Sequence, residues 1–302
     1  MTALFGRVCR LEMHVPTTGD KLFVVETTPA SEGLRVHFDI RRQTGKNARA
    51  KIVITNLAKE NRLKLQAGIP FAVSLYAGYA GEIEQIFAGQ IDRCWNARER
   101  TEWETHLEFE DGKDARDDHL SAVLGQSSKD AWGEHIVGEI GKSGVRPGNA
   151  LAAIKAAKKS ADVVKKVVIH GPKQVELTKA LESMDLEHSI VNGELQVVPK
   201  GGILSNNVAL LSPDTGLIGS PEVGKKDFVK VRCLIAKNLV EQRGIVLDSA
   251  SIRGLFRIEK VTYKGDTRGR EWHADLELSS GVPLETEDGD VADAAGAVGT
   301  GE

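Results

Sequence analysis

Between Leu34 and Ile40 the chain alternates strictly. Leu34, Val36, Phe38 and Ile40 are apolar, while Arg35, His37 and Asp39 are polar. A period of two belongs to a strand with one buried face. Gln43–Asn47 carries Gly45 and Asn47, both tolerant of positive φ, and Lys51–Thr55 returns as a β-branched run. The segment predicts a hairpin with an extended tip. Phe71–Tyr76, Glu84–Asp92 and Thr105–Glu110 predict further strands, the last with Leu107 and Phe109 on one face. Leu57–Leu65 predicts one short helix, with Asn56 as its N-cap. Short strands separated by glycine turns predict a compact barrel or sandwich.

Near Asp111-Gly112 the period changes. Trp132, Ile136 and Ile140 recur at helical spacing, with Ser127 and Asp130 placed for a capping box. Gly141, Gly144, Pro147 and Gly148 interrupt the chain, and Leu151 to about Val164 predicts a second helix rich in Ala and Lys. Val167–His170 then reads as a strand. Pro172 suits the first turn of a helix whose Leu177, Leu181 and Met184 share a face. Leu186–Val191 and Glu194–Val198 flank Asn192-Gly193, a strong hairpin signal. Val167–Pro199 is thus a β-α-β-β unit.

From about Gly201 to Ser280 the pattern returns to β, ending in a strand where Trp272, Ala274, Leu276 and Leu278 alternate with His273, Asp275 and Glu277. Residues 281–302 are acidic and rich in small side chains, so disorder, or ordering only on a partner, is expected there.

Composition narrows the function classes. A chain of 302 residues suffices for two or three domains, and a net charge of −3 gives no whole-chain field for nucleic acid. Cys9, Cys94 and Cys233 are far apart, which suits reduced thiols in a cytosol rather than a disulfide frame or zinc site. The N-terminus lacks a signal peptide's apolar core, and no apolar run reaches the ~18 residues of a membrane span.

Candidate chemistry is sparse. Glu134, His135 and Glu139 lack the second histidine of a metalloprotease helix. Asp117, Asp118 and His119 read as a solvated loop, lacking the glycine placement of an oxygen-ligand loop. Asp111 and Asp114 read as turn residues rather than paired catalytic acids. Lys155, Lys158, Lys159, Lys165 and Lys166 form a basic run without interleaved aromatics, hence a solvated helix face. Trp95, Trp103 and Trp272 fall in strands, where core and interface roles compete. The expectation is a protein without catalytic, cofactor or metal residues.

Two regions carry a resemblance. Leu210–Leu278 contains Gly216–Pro221 (GLIGSP), Val229–Ile235 with its Arg232, Gly244–Ser249, Phe256–Ile258, the Gly265–Thr267 turn and Trp272–Leu278. Leu34–Leu57 has a basic turn with Thr-Gly-x-Asn and a strand ending in Asn-Leu. Gly78–Trp95 and Leu107–Asp114 follow with Gly-Tyr, Phe-x-Gly-x-Ile and Asp-Gly elements. In that order the pieces resemble the baseplate hub proteins of contractile-tailed bacteriophages. The resemblance covers roughly half of the chain and leaves the middle aside.

The resemblance implies a mainly β chain with an α+β middle. Two barrel-like β domains, 1–112 and 201–280, would flank a helical connector at 113–166 and the β-α-β-β module at 167–200, with a flexible tail at 281–302. It further implies a non-enzymatic homotrimer in the virion, assembled in the host cytoplasm. Such a trimer adapts a sixfold tail tube to a threefold spike. Its partners would be the spike, the tube and other baseplate proteins, with no membrane, cofactor or sequence-specific nucleic acid. Subunit contacts are expected from Arg41, Arg42, Thr44 and Asn47 at the hairpin tip and from Gly216, Leu217, Ile218, Gly219 and Pro221. Alternatives are the hub of a long non-contractile tail, a related contractile injection machine, a host-receptor or carbohydrate module, and a tail-associated cell-wall hydrolase.

Overall fold

The computed structural model describes residues 6–280 apart from 17, 32, 69, 125–126, 158–162, 165–166, 205–207 and 225–227, with only the backbone at 127–128, 130 and 163–164. The expected acidic tail, the side chains of the Ser127/Asp130 capping box, and Lys158, Lys159, Lys165 and Lys166 lie outside what is described.

The first region is β throughout: β1 (Arg7–His14), β2 (Lys21–Thr27), β3 (Val36–Gln43), β4 (Lys46–Thr55), β5 (Ala72–Tyr79), β6 (Glu82–Glu99) and β7 (Glu102–Glu110), with α1 (Lys59–Gln66) as its helix. Helix α1 starts later than the sequence suggests, with Ala58 at its N-cap. Asn56 is not the cap. It sits at φ 57°, and its Oδ1 accepts from the Trp103 amide at 3.0 Å while its own amide donates to Trp103 O at 2.7 Å. A short polar side chain tolerates that left-handed backbone and fixes β4 to β7.

The middle comprises α2 (Lys113–Asp117), β8 (His119–Leu124), β9 (Ser127–Ser128), α3 (Lys129–Gly141), α4 (Ala150–Ala156), β10 (Val163–Val164), β11 (Val167–Pro172), α5 (Lys173–Glu182), β12 (Leu186–Val191) and β13 (Glu194–Pro199). The stretch expected to be a helical connector also contains strand: His119–Leu124 pairs antiparallel with Val167–Pro172. The helix expected to run to about Val164 is the shorter α4, and Val163–Val164 is a strand paired with β9. Ile136, Ile140, Leu177 and Leu181 are fully buried, and with Ala115, Ile154, Ile190 and Leu195 they form a core of this module's own.

The last region holds β14 (Ala209–Leu211), a 3-10 turn at Pro213–Thr215, β15 (Leu217–Val223), β16 (Val229–Cys233), β17 (Gly244–Asp248), β18 (Arg253–Asp266) and β19 (Trp272–Ser280). Among the described residues the outer regions share one 13-stranded sheet, in the order β15-β16-β19-β18-β3-β4-β7-β6-β5-β1-β2, with β17 beside β18 and β14 beside β17. The join is β18 on β3, antiparallel from Lys260↔Gln43 to Asp266↔His37. Long strands make this possible. The start of β18 pairs with β17 and its end with β3, while β6 pairs first with β5 and then with β7. One apolar core runs continuously from Leu11 and Phe38 to Leu276 and Leu278.

The expected Gly265–Thr267 turn is instead strand as far as Asp266, and this end of β18 with Thr267 stitches the seam. A Cβ on Gly265 would lie 2.1 Å from Phe38 Cζ, so only glycine admits the Phe38 ring, which stands edge-on to Trp272 with centroids 5.5 Å apart. Asp266 accepts from Arg35 Nε at 3.1 Å and Nη2 at 2.7 Å, and Thr267 Oγ1 accepts from the Val36 amide at 2.9 Å. The two stretches that carry the family resemblance therefore meet in space.

Candidate functional site

The hairpin of β3 and β4 divides into two kinds of residue. Arg42 points inward with its side chain 1% exposed, so the expectation that it supplies a subunit contact is corrected. Its Nε donates to Glu241 Oε2 at 2.9 Å, and its Nη1 donates to Ile86 O and to Asn192 Oδ1, both at 3.2 Å. Asp111 Oδ2 lies 4.0 Å away, and Asp111 Oδ1 accepts from the Gly193 amide at 2.9 Å. Burying a guanidinium costs far more than any surface contact returns unless carboxylates and carbonyls surround it. Here they come from β6, the β7–α2 turn, the β12–β13 turn and the loop after β16. The Asn192-Gly193 turn, plain in the sequence, is thus a plug: Asn192 Oδ1 accepts from the Ala88 amide at 3.0 Å and its Nδ2 donates to Gln85 O at 3.3 Å.

Burial dominates the electrostatics at this junction. It pushes the Asp111 carboxyl up to about 7 despite Arg42 and the amides that favour its anion. On the neighbouring β12, burial pulls His188 down to about 4. Arg42 stays charged, because Glu241 and Asp111 more than offset its desolvation.

The hairpin tip is braced from within as well. The Thr44 amide donates to Glu259 O at 3.0 Å, the Gly45 amide to His188 O at 3.1 Å, and Asn47 Nδ2 to Glu110 Oε1 at 3.0 Å. Gln174 Nε2 donates to Asn47 Oδ1. Arg41 faces solvent and pairs with Asp39 at 3.1 Å.

The second expected segment lies across an open groove from this tip. The groove, about 1190 Å³, is lined by Arg41, Lys46 and Asn47 on one wall and by Ile218, Gly219 and Ser220 on the other. Its floor is the solvent face of β16, β19 and β18. There charged side chains pair across strands: Arg232 with Asp275 at 2.7 Å and Lys260 with Glu277 at 3.0 Å. The structure therefore brings Arg41 and Asn47 to the same groove as Ile218 and Gly219. Gly216 stands apart at φ 113°, where an added Cβ would lie 3.2 Å from Leu234 Cβ, so it closes the 3-10 turn against the body of the chain. Gly219 differs: its φ of 72° needs glycine's freedom, yet a Cβ there would touch nothing. Pro221 and the half-buried Leu217 complete β15, an edge strand whose pairing with β16 breaks between Ile218 and Glu222.

Other candidates resolve individually. Among the described residues no group of three or more His, Cys, Asp and Glu could hold a metal ion. Asp118 accepts from Lys173 Nζ at 3.1 Å and from Ser143 Oγ at 2.5 Å, and Glu139 pairs with Lys142. Trp272 is in the core, whereas Trp95 and Trp103 are partly exposed, stacked on His106 and under Arg62 respectively. Glu241 and three lysines of the groove that make no ion pair among the described residues, Lys46, Lys230 and Lys264, escaped sequence reasoning. The signal that could have found the last two is the two-residue alternation of β16 and β18, which puts Lys230 at an exposed and Lys264 at a half-buried position, each between buried ones.

No family model matches the sequence, and no curated protein matches it. The fold has solved counterparts. The 43 kDa tail protein of prophage MuSo2 from Shewanella oneidensis aligns with a TM-score of 0.59 at 10% identity, over 91% of this chain and 98% of that one. A tail protein from Neisseria meningitidis aligns with a TM-score of 0.59 at 11% identity, over 91% and 96%. An E. coli component of the type VI secretion system, itself similar in structure to T4 bacteriophage tail proteins gp27 and gp5, aligns with a TM-score of 0.57 at 12% identity, over 82% and 73%. The chain is mainly β and has the fold of phage tail proteins.

Proposed function

We propose that this chain is the trimeric hub of a contractile tail baseplate, joining a sixfold tube to a threefold spike. The observation that carries the reading is end-to-end likeness: the shared fold takes in 91% of this chain and 98% of the MuSo2 tail protein, middle module included. The physical role is structural, with no catalytic step. Among the described residues the main path of the sheet ends at the edge strands β2 and β15, which bear the exposed Val24, Ile218 and Val223, while β14 is a further edge beside β17. Open edges of opposite ends suit head-to-tail association, which closes into a ring when the rotation per subunit divides the circle. The tail spike, the tail tube and further baseplate proteins are the partners, and the virion tail is the location. The likeness to the type VI secretion component keeps a related contractile injection machine as the second reading.

Solution mass and particle imaging test the proposal. Three copies of the 32.7 kDa chain, about 98 kDa, alone or with the spike, are expected. Six copies, or one, in assembled particles would remove the adapter role. Imaging that shows a sheath around the tube would separate a contractile from a non-contractile tail. Cell-wall lysis by the purified chain would return the hydrolase reading.

A further inference from the structure

The groove between the β3–β4 tip and β15 has a charge the whole chain does not share. Apart from the inward-pointing Arg42, eight basic and four acidic residues line it, on a chain of net charge −3. Most of the acids are already engaged. Asp275 holds Arg232, Glu277 holds Lys260, and Glu110 holds Arg49 and Arg116. Lys46, Lys230 and Lys264 make no ion pair within 4.0 Å among the described residues, although Lys230 stands opposite Glu222 and Glu277 and Lys264 opposite Asp39 in the strand register. They stand on β4, β16 and β18, so they surround the groove rather than cluster at one end. Beside them the broken register at Ile218–Glu222 leaves β15 edge backbone unpaired with β16. Cations next to unpaired edge backbone suit an extended acidic polypeptide. A polyphosphate would meet the same cations but gain nothing from the strand edge.

The chain carries an acidic segment of its own. Residues 281–302 contain six acids (Glu285, Glu287, Asp288, Asp290, Asp293 and Glu302) and no Lys, Arg or His. They follow Ser280 directly, and Glu277, three residues earlier on β19, lines the groove. At the rise of a strand, that is about 10 Å from the groove to the start of the segment. The tether therefore presents the acids at an effective concentration on the order of 1 mM. We infer that the groove is a docking surface for an acidic polypeptide and that this chain's own residues 281–302 are its occupant, a partner gaining access only by displacing them.

The test uses a fluorescent peptide with the sequence of residues 281–302. It is titrated into the full chain, into a chain ending at Ser280, and into a full chain whose six tail acids are changed to Asn or Gln. All described elements and both cores lie within residues 6–280, so the shorter chain loses no strand or helix. With a peptide Kd on the order of 0.1 mM, own-tail occupancy weakens binding to the full chain about tenfold relative to either altered chain. Binding should also fall with salt and vanish in the K230E/K264E double variant. Equal binding to all three chains would show that the tail does not occupy the groove, and so would competition that depends on protein concentration. Undiminished binding of a neutral Asn/Gln peptide would remove the charge argument. Tighter binding of single-stranded oligothymidine than of the peptide would overturn the choice of occupant. None of these readouts depends on copy number in the tail, so the hub reading and this one fail separately.

Discussion

Arg42 on β3 and Glu241 in the loop after β16, 199 residues apart in sequence, form an ion pair of 2.9 Å with both side chains essentially inaccessible to solvent. The pair clamps the first β region to the last, and Asn192 of the middle module and Asp111 of the β7–α2 turn seal it. Removing one partner leaves a buried, uncompensated charge. Arg42→Met should therefore cost about 3–5 kcal/mol in urea unfolding. The double variant R42M/E241L should recover a large part of that loss. If the single variant unfolds at the parental midpoint, the clamp is not structural.

Asp111 and His188 give the stability a pH signature. Asp111 is raised to about 7 in the folded chain, so between pH ~4 and ~7 the folded state binds the extra proton, and this group lowers stability as pH rises. His188 is lowered to about 4, so from pH ~6.5 down to ~4 the unfolded state binds the extra proton, and stability is lost as pH falls. The two slopes oppose each other, each up to about 1.4 kcal/mol per pH unit. Asp111→Asn should expose a rise of stability with pH across that window, and His188→Phe a decline. Parallel profiles for parent and both variants would contradict the assignment.

The Asn192 side chain satisfies two backbone groups of β6 as well as Arg42. Asn192→Gly keeps the backbone at φ 53° accessible but deletes those bonds to the Ala88 amide and the Gln85 carbonyl. A loss of about 1–3 kcal/mol is expected, with faster hydrogen exchange at the Ala88 amide. Unchanged exchange there would mean the turn does not plug the sheet.

Gly219 separates folding from assembly. Its Cβ position is open, so Gly219→Glu carries only the left-handed backbone penalty of about 1–2 kcal/mol in the isolated chain. Gly219→Asn, tolerant of that backbone, should cost less. If β15 meets a neighbouring subunit, the Glu variant should lower the trimer fraction in sedimentation far more than the Asn variant does. Equal trimer fractions would place β15 outside the interface.

The strands were legible wherever one face is buried. Val36, Phe38 and Ile40 could alternate with His37, Asp39 and Arg41 only if the sheet were covered on one side, and Trp272–Leu278 repeats the logic. The Asn192-Gly193 turn was legible because its φ values of 53° and 74° demand those residues. Alternation alone could not reveal that β18 pairs with β3, because register between distant strands is set by side-chain fit, here Phe38 over Gly265. Nor could it separate Arg41 from Arg42. Both are arginines at a hairpin tip, and only the tertiary arrival of Glu241, Asp111 and Asn192 makes the burial of one of them tolerable. The sequence by itself determined the period, the turns and the β-rich ends. Tertiary structure decided which charges are neutralised inside and which, such as Lys230 and Lys264, are left facing a groove, because desolvation depends on neighbours that lie far away along the chain.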